Sequence, residues 1–223
     1  MEQEPPKEVD AVFLIADLSG YTALTEAHGN VSAAYIVTRY MEIVEEALEP
    51  GVRFVERVGD EALITAAEAA GILKTAIRLR GSLEEEPLFP TFHAGIHAGS
   101  VLEMDGRYIG KALNLASRLA SHARGNQILC TKQVVSRVGN VGDIEFRALG
   151  QTYFKNIVQP VEIFEVIGEH RKSETNLLDP VCRMQVRPET APARLPFGGK
   201  MYYFCSFDCV KIFVNNPDLY IDP

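Results

Sequence analysis

Two carboxylates stand where a sequence can put chemistry. Asp17 closes the short apolar run AVFLIAD at residues 11–17, and Asp60 follows Gly59 between two runs of strand-forming residues. The first run reads as a buried strand and the second pattern as a tight hairpin with Asp60 at its tip. If the hairpin lies beside the first strand, both carboxylates reach one sheet edge and make a hard-oxygen site for Mg²⁺ or Mn²⁺. The turn after Asp17 carries Ser19, Gly20, Tyr21 and Thr22 into a helical stretch. Backbone N–H groups at such a helix start suit a phosphate. Two metals and a triphosphate would suit in-line displacement at phosphorus. From spacing alone the plainer reading is a helix cap and a turn residue.

Asn114 and Arg118 are four apart in a helical pattern whose apolar side is Leu113, Ala116, Leu119 and Ala120. They therefore share the opposite face. Such a pair can orient a ribose and neutralise phosphate charge. Alone, the pair reads first as a solvated helix face.

A third set lies near the end. Cys182, Cys205 and Cys209 are spaced C-x22-C-x3-C. On a helix starting near Ser206, Cys209 lies one turn from Cys205, and Cys182 arrives from a neighbouring loop. Thiolates select soft or borderline metals such as zinc, copper or nickel. Three thiolates leave a fourth position open, or filled by Asp179 or another group. Three small core residues are the alternative. His93 and His97 are also four apart, but glycines at 95 and 99 argue for a strand, and no third ligand is near, so packing is the expected role. Cys130, in an apolar strand, reads as an inert core residue.

These residues need elements to hold them. Helices are predicted at 31–48, 67–80 and 111–123. Strands are predicted at 11–17, 52–58, 61–66, 91–98, 100–104, 127–131, 144–149 and 161–167, with the 91–104 stretch bent at Gly99. The order implies an α+β sheet with helices on one face, a ferredoxin-like core. Residues 1–10 read as an N-terminal tail, 11–167 as the main domain, 168–176 as a polar linker and 177–223 as a small cysteine-containing domain. A core of that last size usually needs a metal or a partner.

Composition narrows the classes. The chain has 223 residues, and 47% hydrophobic with 23% charged residues is ordinary globular usage. Its net charge of −8 disfavours non-specific binding to nucleic acid. That charge falls wholly in residues 1–176, because 177–223 is balanced at five basic and five acidic residues. No signal peptide or membrane segment is expected, and the cytoplasm is the expected location. In that compartment a cysteine cluster reads as metal binding before disulfides.

The ordered segments ADLSGYT (16–22), ERVGDEALIT (56–65), HAGIHAGSV (93–101), YIGKALNLASRL (108–119) and LGQTYFKNIVQPVEIFEV (149–166) resemble the class III nucleotide cyclases. The resemblance implies conversion of ATP or GTP to the 3′,5′-cyclic nucleotide and pyrophosphate. It implies that Asp17 and Asp60 hold two Mg²⁺ or Mn²⁺ ions, that Asn114 orients the ribose and that Arg118 stabilises the phosphates. Lys155 resembles a triphosphate-contacting lysine. Glu56 and Arg107 occupy the base-reading positions. Glutamate there is frequent in guanylate cyclases, while family frequency favours ATP. The resemblance further implies a head-to-tail homodimer with composite sites, and neither a nucleic acid polymer nor a membrane as partner. DPVCRMQV (179–186) with YYFCSFDCVKIFVNNPDLY (202–220) is similar to the YHS domain, a module associated with heavy-metal handling, with Arg183 where glycine is usual. That similarity implies a zinc, copper or other thiophilic ion at Cys182, Cys205 and Cys209. Because such a module and the cyclase-like domain share one chain across a short linker, metal occupancy is expected to regulate the cyclase.

Overall fold

The computed structural model describes residues 5–138, 144–168 and 177–221. Most of the expected linker lies outside the described residues.

The first strand, β1 (Lys7–Leu18), begins four residues before the apolar run that announces it. Its centre is buried on both faces, which is why AVFLIA reads as continuous rather than alternating. Helix α1 (Tyr21–Ala47) follows, with a break at Gly29, where φ is 78° and ψ 167°. Gly29 divides it into a short first segment and a long second one, and only glycine adopts such a conformation cheaply. Then come β2 (Arg53–Val58), β3 (Glu61–Ala66), α2 (Ala69–Glu85), β4 (Phe92–Met104), β5 (Arg107–Ile109), α3 (Lys111–His122), β6 (Ile128–Thr131), α4 (Lys132–Val138), β7 (Ile144–Thr152) and β8 (Val161–Gly168).

These strands form one sheet in the order β2-β3-β1-β4-β6-β8-β7, with β5 paired to β4. The β4–β6 pair is parallel and the others are antiparallel. The hairpin expected around Asp60 is β2–β3, and β3 lies against β1 in the register Ile15↔Leu63.

Alternation along β1 sorts the side chains between two cores. Val12, Leu14, Ala16 and Leu18 enter the larger one, with residues of α1, α2 and α4. Phe13 and Ile15 face α3. Helices thus cover both faces, not one as expected. Small residues make this possible. A Cβ on Gly95 would stand 2.3 Å from the Ala116 carbonyl oxygen and from the Ala120 nitrogen. Gly99 belongs to the same device: β4 runs straight through it, paired to Ala11, and its Cβ would meet Ala112 at 3.2 Å. The expected bend is instead a close approach of α3 to the strand.

The C-terminal unit contains β9 (Leu177–Leu178), β10 (Gln185–Val186), β11 (Ala193–Phe197), β12 (Lys200–Phe204), α5 (Phe207–Asn215) and a 3-10 turn (Pro217–Leu219). Its core is small: Val181, Met184, Val186, Phe204 and Phe213 among its members. It is completed from outside. Leu24 and Ala33 of α1 are buried in that same cluster, at 0% and 1% exposure. Backbone bonds add to the seam, with Gln185 N–H donating to the Phe89 carbonyl at 2.9 Å and Pro90 bridging to Met184.

Candidate functional site

Asp17 is the penultimate residue of β1 and Asp60 occupies the β2–β3 turn, where Gly59 supplies the positive φ of 66°. The sheet order puts β3 beside β1, and the two carboxylates come within hydrogen-bonding reach. Burial pushes both up from the ordinary carboxylate range, Asp60 to about 6, with the Asp17 charge as a further cause there. Glu61, the next residue, is also raised, by burial and then by Asp60. Asp17 Oδ1 is buried and has no hydrogen-bond partner. The nearest basic group is His93, whose Nε2 lies 3.5 Å from Asp17 Oδ2. Burial holds its pKa below the usual value, so the imidazole offsets little of the negative charge. Crowded carboxylates with an orphaned oxygen fit a hard divalent cation.

The turn after Asp17 is held from beneath. Ser19 N–H donates to the Thr91 carbonyl at 2.7 Å, and Ser19 Oγ lies 3.0 Å from His93 Nδ1. His93 therefore contacts both the turn and Asp17, a role beyond simple packing. His97, on the same face of β4, is buried and lies 2.8 Å from Thr131 Oγ1, which is the packing role expected. Gly20 precedes α1 in the left-handed region, φ 81°, and Tyr21 and Thr22 open the helix. The first helical N–H groups point into this turn.

Asn114 and Arg118 are exposed on α3, opposite its buried Ala112, Ala116, Leu119 and Ala120. Asn114 lines a cavity of about 220 Å³ with Ile15, Glu56, Glu61, Leu63 and Ser117. Glu56 thus shares a cavity with Asn114. Arg107, exposed on β5, is not among the residues that line it. Its neighbour Tyr108 is packed edge-on against Phe13 at 5.3 Å and bonded to Arg53. Lys155 is exposed in the β7–β8 loop, directly after Phe154, which is buried against Leu119 and edge-on to His122 of α3. Phe154 thereby fixes the root of Lys155 relative to the Asn114–Arg118 helix. Cys130 is a buried thiol pushed up to about 12 by desolvation, inert as expected.

The three late cysteines do converge. Cys205 Sγ lies 3.3 Å from Cys182 Sγ and 3.6 Å from Cys209 Sγ, and all are free thiols. The fourth group is His28, on α1 immediately before the break at Gly29. Its Nε2 lies 3.3 Å from Cys205 Sγ and 3.5 Å from Cys209 Sγ. Asp179, the suggested fourth ligand, does something else. Fully buried, its Oδ1 accepts from Val181 N–H at 2.8 Å and Cys182 N–H at 3.3 Å, and its Oδ2 from Cys205 N–H at 2.7 Å. Its lone pairs are spent on the backbone of the two cysteine loops. Ser206 caps α5, accepting from Cys209 N–H at 3.2 Å. Thiol donors from Cys182 and Cys205 lower the Cys209 pKa, and the helix N-terminus favours the same thiolate. Sequence spacing had no means of finding His28, which is 177 residues from Cys205.

Among the described residues, no helix is long and apolar enough to cross a membrane.

Comparison with known proteins agrees with both halves of this architecture. Residues 177–223 match the YHS domain family. A pH-sensitive adenylate cyclase of Mycobacterium tuberculosis is 25% identical over 154 residues, 68% of this chain and 39% of that protein. An adenylate cyclase of Streptomyces griseus is 30% identical over 115 residues, 51% of this chain and 29% of that protein. The chain spans less than half the length of these curated relatives. Among solved structures, the adenylyl cyclase CyaB of P. aeruginosa superposes with a TM-score of 0.66 at 22% identity, covering 75% of this chain and 98% of that one. The guanylyl cyclase Cya2 gives 0.62 at 18% identity, over 76% and 97%. The chain joins the catalytic-domain fold of the class III nucleotide cyclases to a C-terminal YHS domain.

Proposed function

We propose that this chain cyclises a nucleoside triphosphate as a homodimer. The ribose 3′-oxygen attacks the α-phosphorus, the bond from that phosphorus to the β-phosphate oxygen breaks, pyrophosphate leaves and the 3′-hydroxyl proton is lost to solvent. The observation that carries this reading is the Asp17–Asp60 pair: half-buried carboxylates at a strand end, one oxygen orphaned, beside a turn that opens a helix. The two aspartates would hold Mg²⁺ or Mn²⁺, which supplies Lewis-acid stabilisation of the triphosphate charge when bound.

The remaining residues take roles by their chemistry. Ser19, Gly20, Tyr21 and Thr22 form the phosphate-side turn. Asn114 donates and accepts towards the ribose. Arg118 meets charge on the phosphates, bidentate where geometry allows. Lys155, rooted by Phe154, adds a further cation. Asn114 and Arg118 stand on the exposed face of α3, so a second chain can present them to the first chain's aspartates. Glu56, in the cavity with Asn114, is the base-facing group, and Arg107 would reach the base from β5. A carboxylate accepts from guanine N1–H and N2–H, or from the adenine amino group, so either ATP or GTP fits. Free thiols throughout suit a reducing cytoplasm.

A second reading is a dimeric nucleotide-binding module with little turnover that serves metal sensing. One observation favours it: the stem of Arg183 lies on Gly20 of the phosphate-side turn. Metal held by the C-terminal cysteines would then regulate nucleotide access.

The deciding experiment is pyrophosphate release by the purified chain with Mn²⁺ and either ATP or GTP, beside Asp17→Ala. Cyclic product from one nucleotide, lost in the variant, supports cyclisation and identifies the base. Nucleotide binding without product from either overturns it in favour of the binding module.

A further inference from the structure

The cysteine cluster is built from both halves of the chain. Three of its members come from the C-terminal unit, and His28 comes from the first segment of α1. All four ligand atoms lie within 4.8 Å of one another. A tetrahedral zinc site with Zn–S near 2.3 Å and Zn–N near 2.0–2.1 Å has S···S edges of about 3.8 Å and N···S edges of about 3.5 Å. The Cys205 sulfur lies 3.3 Å from that of Cys182 and 3.6 Å from that of Cys209, and His28 Nε2 lies 3.3 Å from Cys205 Sγ and 3.5 Å from Cys209 Sγ, with the remaining pairs within 4.8 Å. These separations bracket the edges of a zinc tetrahedron.

The surroundings are prepared for an ion. Asp179 ties Cys182 and Cys205 to one buried carboxylate through their backbone N–H groups, so neither sulfur depends on a bound metal for its approximate position. Cys209 is held at the start of α5 by the Ser206 cap. His28 is held differently. It ends a two-turn helical segment whose Leu24 is wholly buried in the C-terminal core. The break at Gly29 separates that segment from the longer one, which meets the same core at Ala33 and packs against the sheet through Tyr40, Ile43, Val44 and Ala47.

We propose that a single thiophilic divalent cation, of the zinc class, is bound by His28, Cys182, Cys205 and Cys209, and that it fastens the C-terminal unit to the start of α1. The consequence for the other site is direct. Cys182 and Arg183 are consecutive, and the Arg183 side chain rests on Gly20, three residues from Asp17. Loading the tetrad therefore fixes what covers the phosphate-side turn. This assignment stands whether or not the chain turns over nucleotide.

The test uses the full chain, reduced and stripped of metal, titrated with Zn²⁺ and separately with Co²⁺ as a spectroscopic probe. The expected result is one ion per chain, with a tetrahedral Co²⁺ spectrum carrying thiolate charge-transfer bands. His28→Ala, checked by circular dichroism for an intact fold, should bind at least tenfold more weakly and change the Co²⁺ spectrum. His28→Cys should restore tight tetrahedral binding with four-thiolate intensity. Hydrogen exchange should show metal-dependent protection of residues 21–28 in the native chain, lost in His28→Ala. Wild-type affinity and an unaltered spectrum in His28→Ala would overturn the assignment, leaving a site of the three cysteines alone. A Cys182–Cys205 disulfide that persists under reducing conditions, with no metal taken up, would also overturn it. None of these readouts depends on cyclase activity, so failure here and failure of the cyclase reading are separable.

Discussion

Arg183 lies on top of Gly20. A Cβ placed on Gly20 would stand 2.7 Å from the Arg183 Cβ and 2.9 Å from its Cγ. Both backbones are in the left-handed region, at φ 81° for Gly20 and 65° for Arg183. Glycine takes that conformation freely, whereas arginine is strained in it. Arg183→Gly should therefore leave the fold intact, raising stability by up to about 1 kcal/mol. It should also uncover the turn, lowering the apparent KM for the triphosphate while kcat holds. Steady-state kinetics checks this, and a rise in KM would instead make Arg183 a phosphate ligand.

The proposed sharing of sites between two chains makes a sharper prediction. Asp17→Ala and Arg118→Ala should each lose activity by at least about a hundredfold, as expected when metal or transition-state charge contacts go. Mixed in equal amounts, they should recover roughly a quarter of native activity. Half of the dimers are then mixed, each with one intact site of two. A mixture as inactive as its components excludes sites shared between two chains.

Gly95→Ala tests how α3 is carried. The added methyl would meet main-chain atoms at 2.3 Å, which no side-chain rotation relieves. The helix must move away from β4, at about 3 kcal/mol or more. Urea unfolding should show that loss. Activity should fall further than the folded fraction does, because Asn114 and Arg118 move with the helix.

His97 sets an acid limit on stability. Burial lowers its pKa from 6.5 to about 4. The folded state thus binds fewer protons than the unfolded state between those values. The contribution is whole above pH 6.5 and is lost as pH falls towards 4, amounting to at most about 3 kcal/mol at about 1.4 kcal/mol per pKa unit. The raised carboxylates Asp17, Asp60, Glu61 and Asp179 act in the opposite sense as pH falls, so chemical denaturation from pH 7.5 to 4.5 is read as a difference between two chains. His97→Gln, which keeps a hydrogen-bonding group for Thr131, should lose less stability towards pH 4.5 than the native chain.

What the sequence disclosed depended on distance along the chain. Asp17 at a strand end and Asp60 in a two-residue turn are local patterns, so the sheet needed only to bring the two together. Asn114 and Arg118 were legible because helical period fixes their shared face. Gly99 was misread as a bend because glycine in a strand also marks a close approach, and α3 supplies that approach from another part of the fold. His28 carried no local signal, since its partners are brought to it by packing of the C-terminal unit. Asp179 was adjacent to the cysteines and so looked like a ligand, but a carboxylate accepting three N–H groups is serving the backbone. Helices on both faces followed from β1 being apolar on both sides, a feature visible in its unbroken run.

The burial of Leu24 and Ala33 among C-terminal side chains has a bearing on inheritance. A recombination event that cut at residue 177 would not move a complete unit. The donated piece would arrive without part of its core and without His28, and the half left behind would keep the opening turns of α1 with nothing to cover them. For this tail to be traded between enzymes, the opening turns of α1 must travel with it or already be matched in the recipient. The two halves are tied as heritable parts as well as packed ones, and substitutions at residues 24, 28 and 33 should be judged with the C-terminal residues rather than with the sheet.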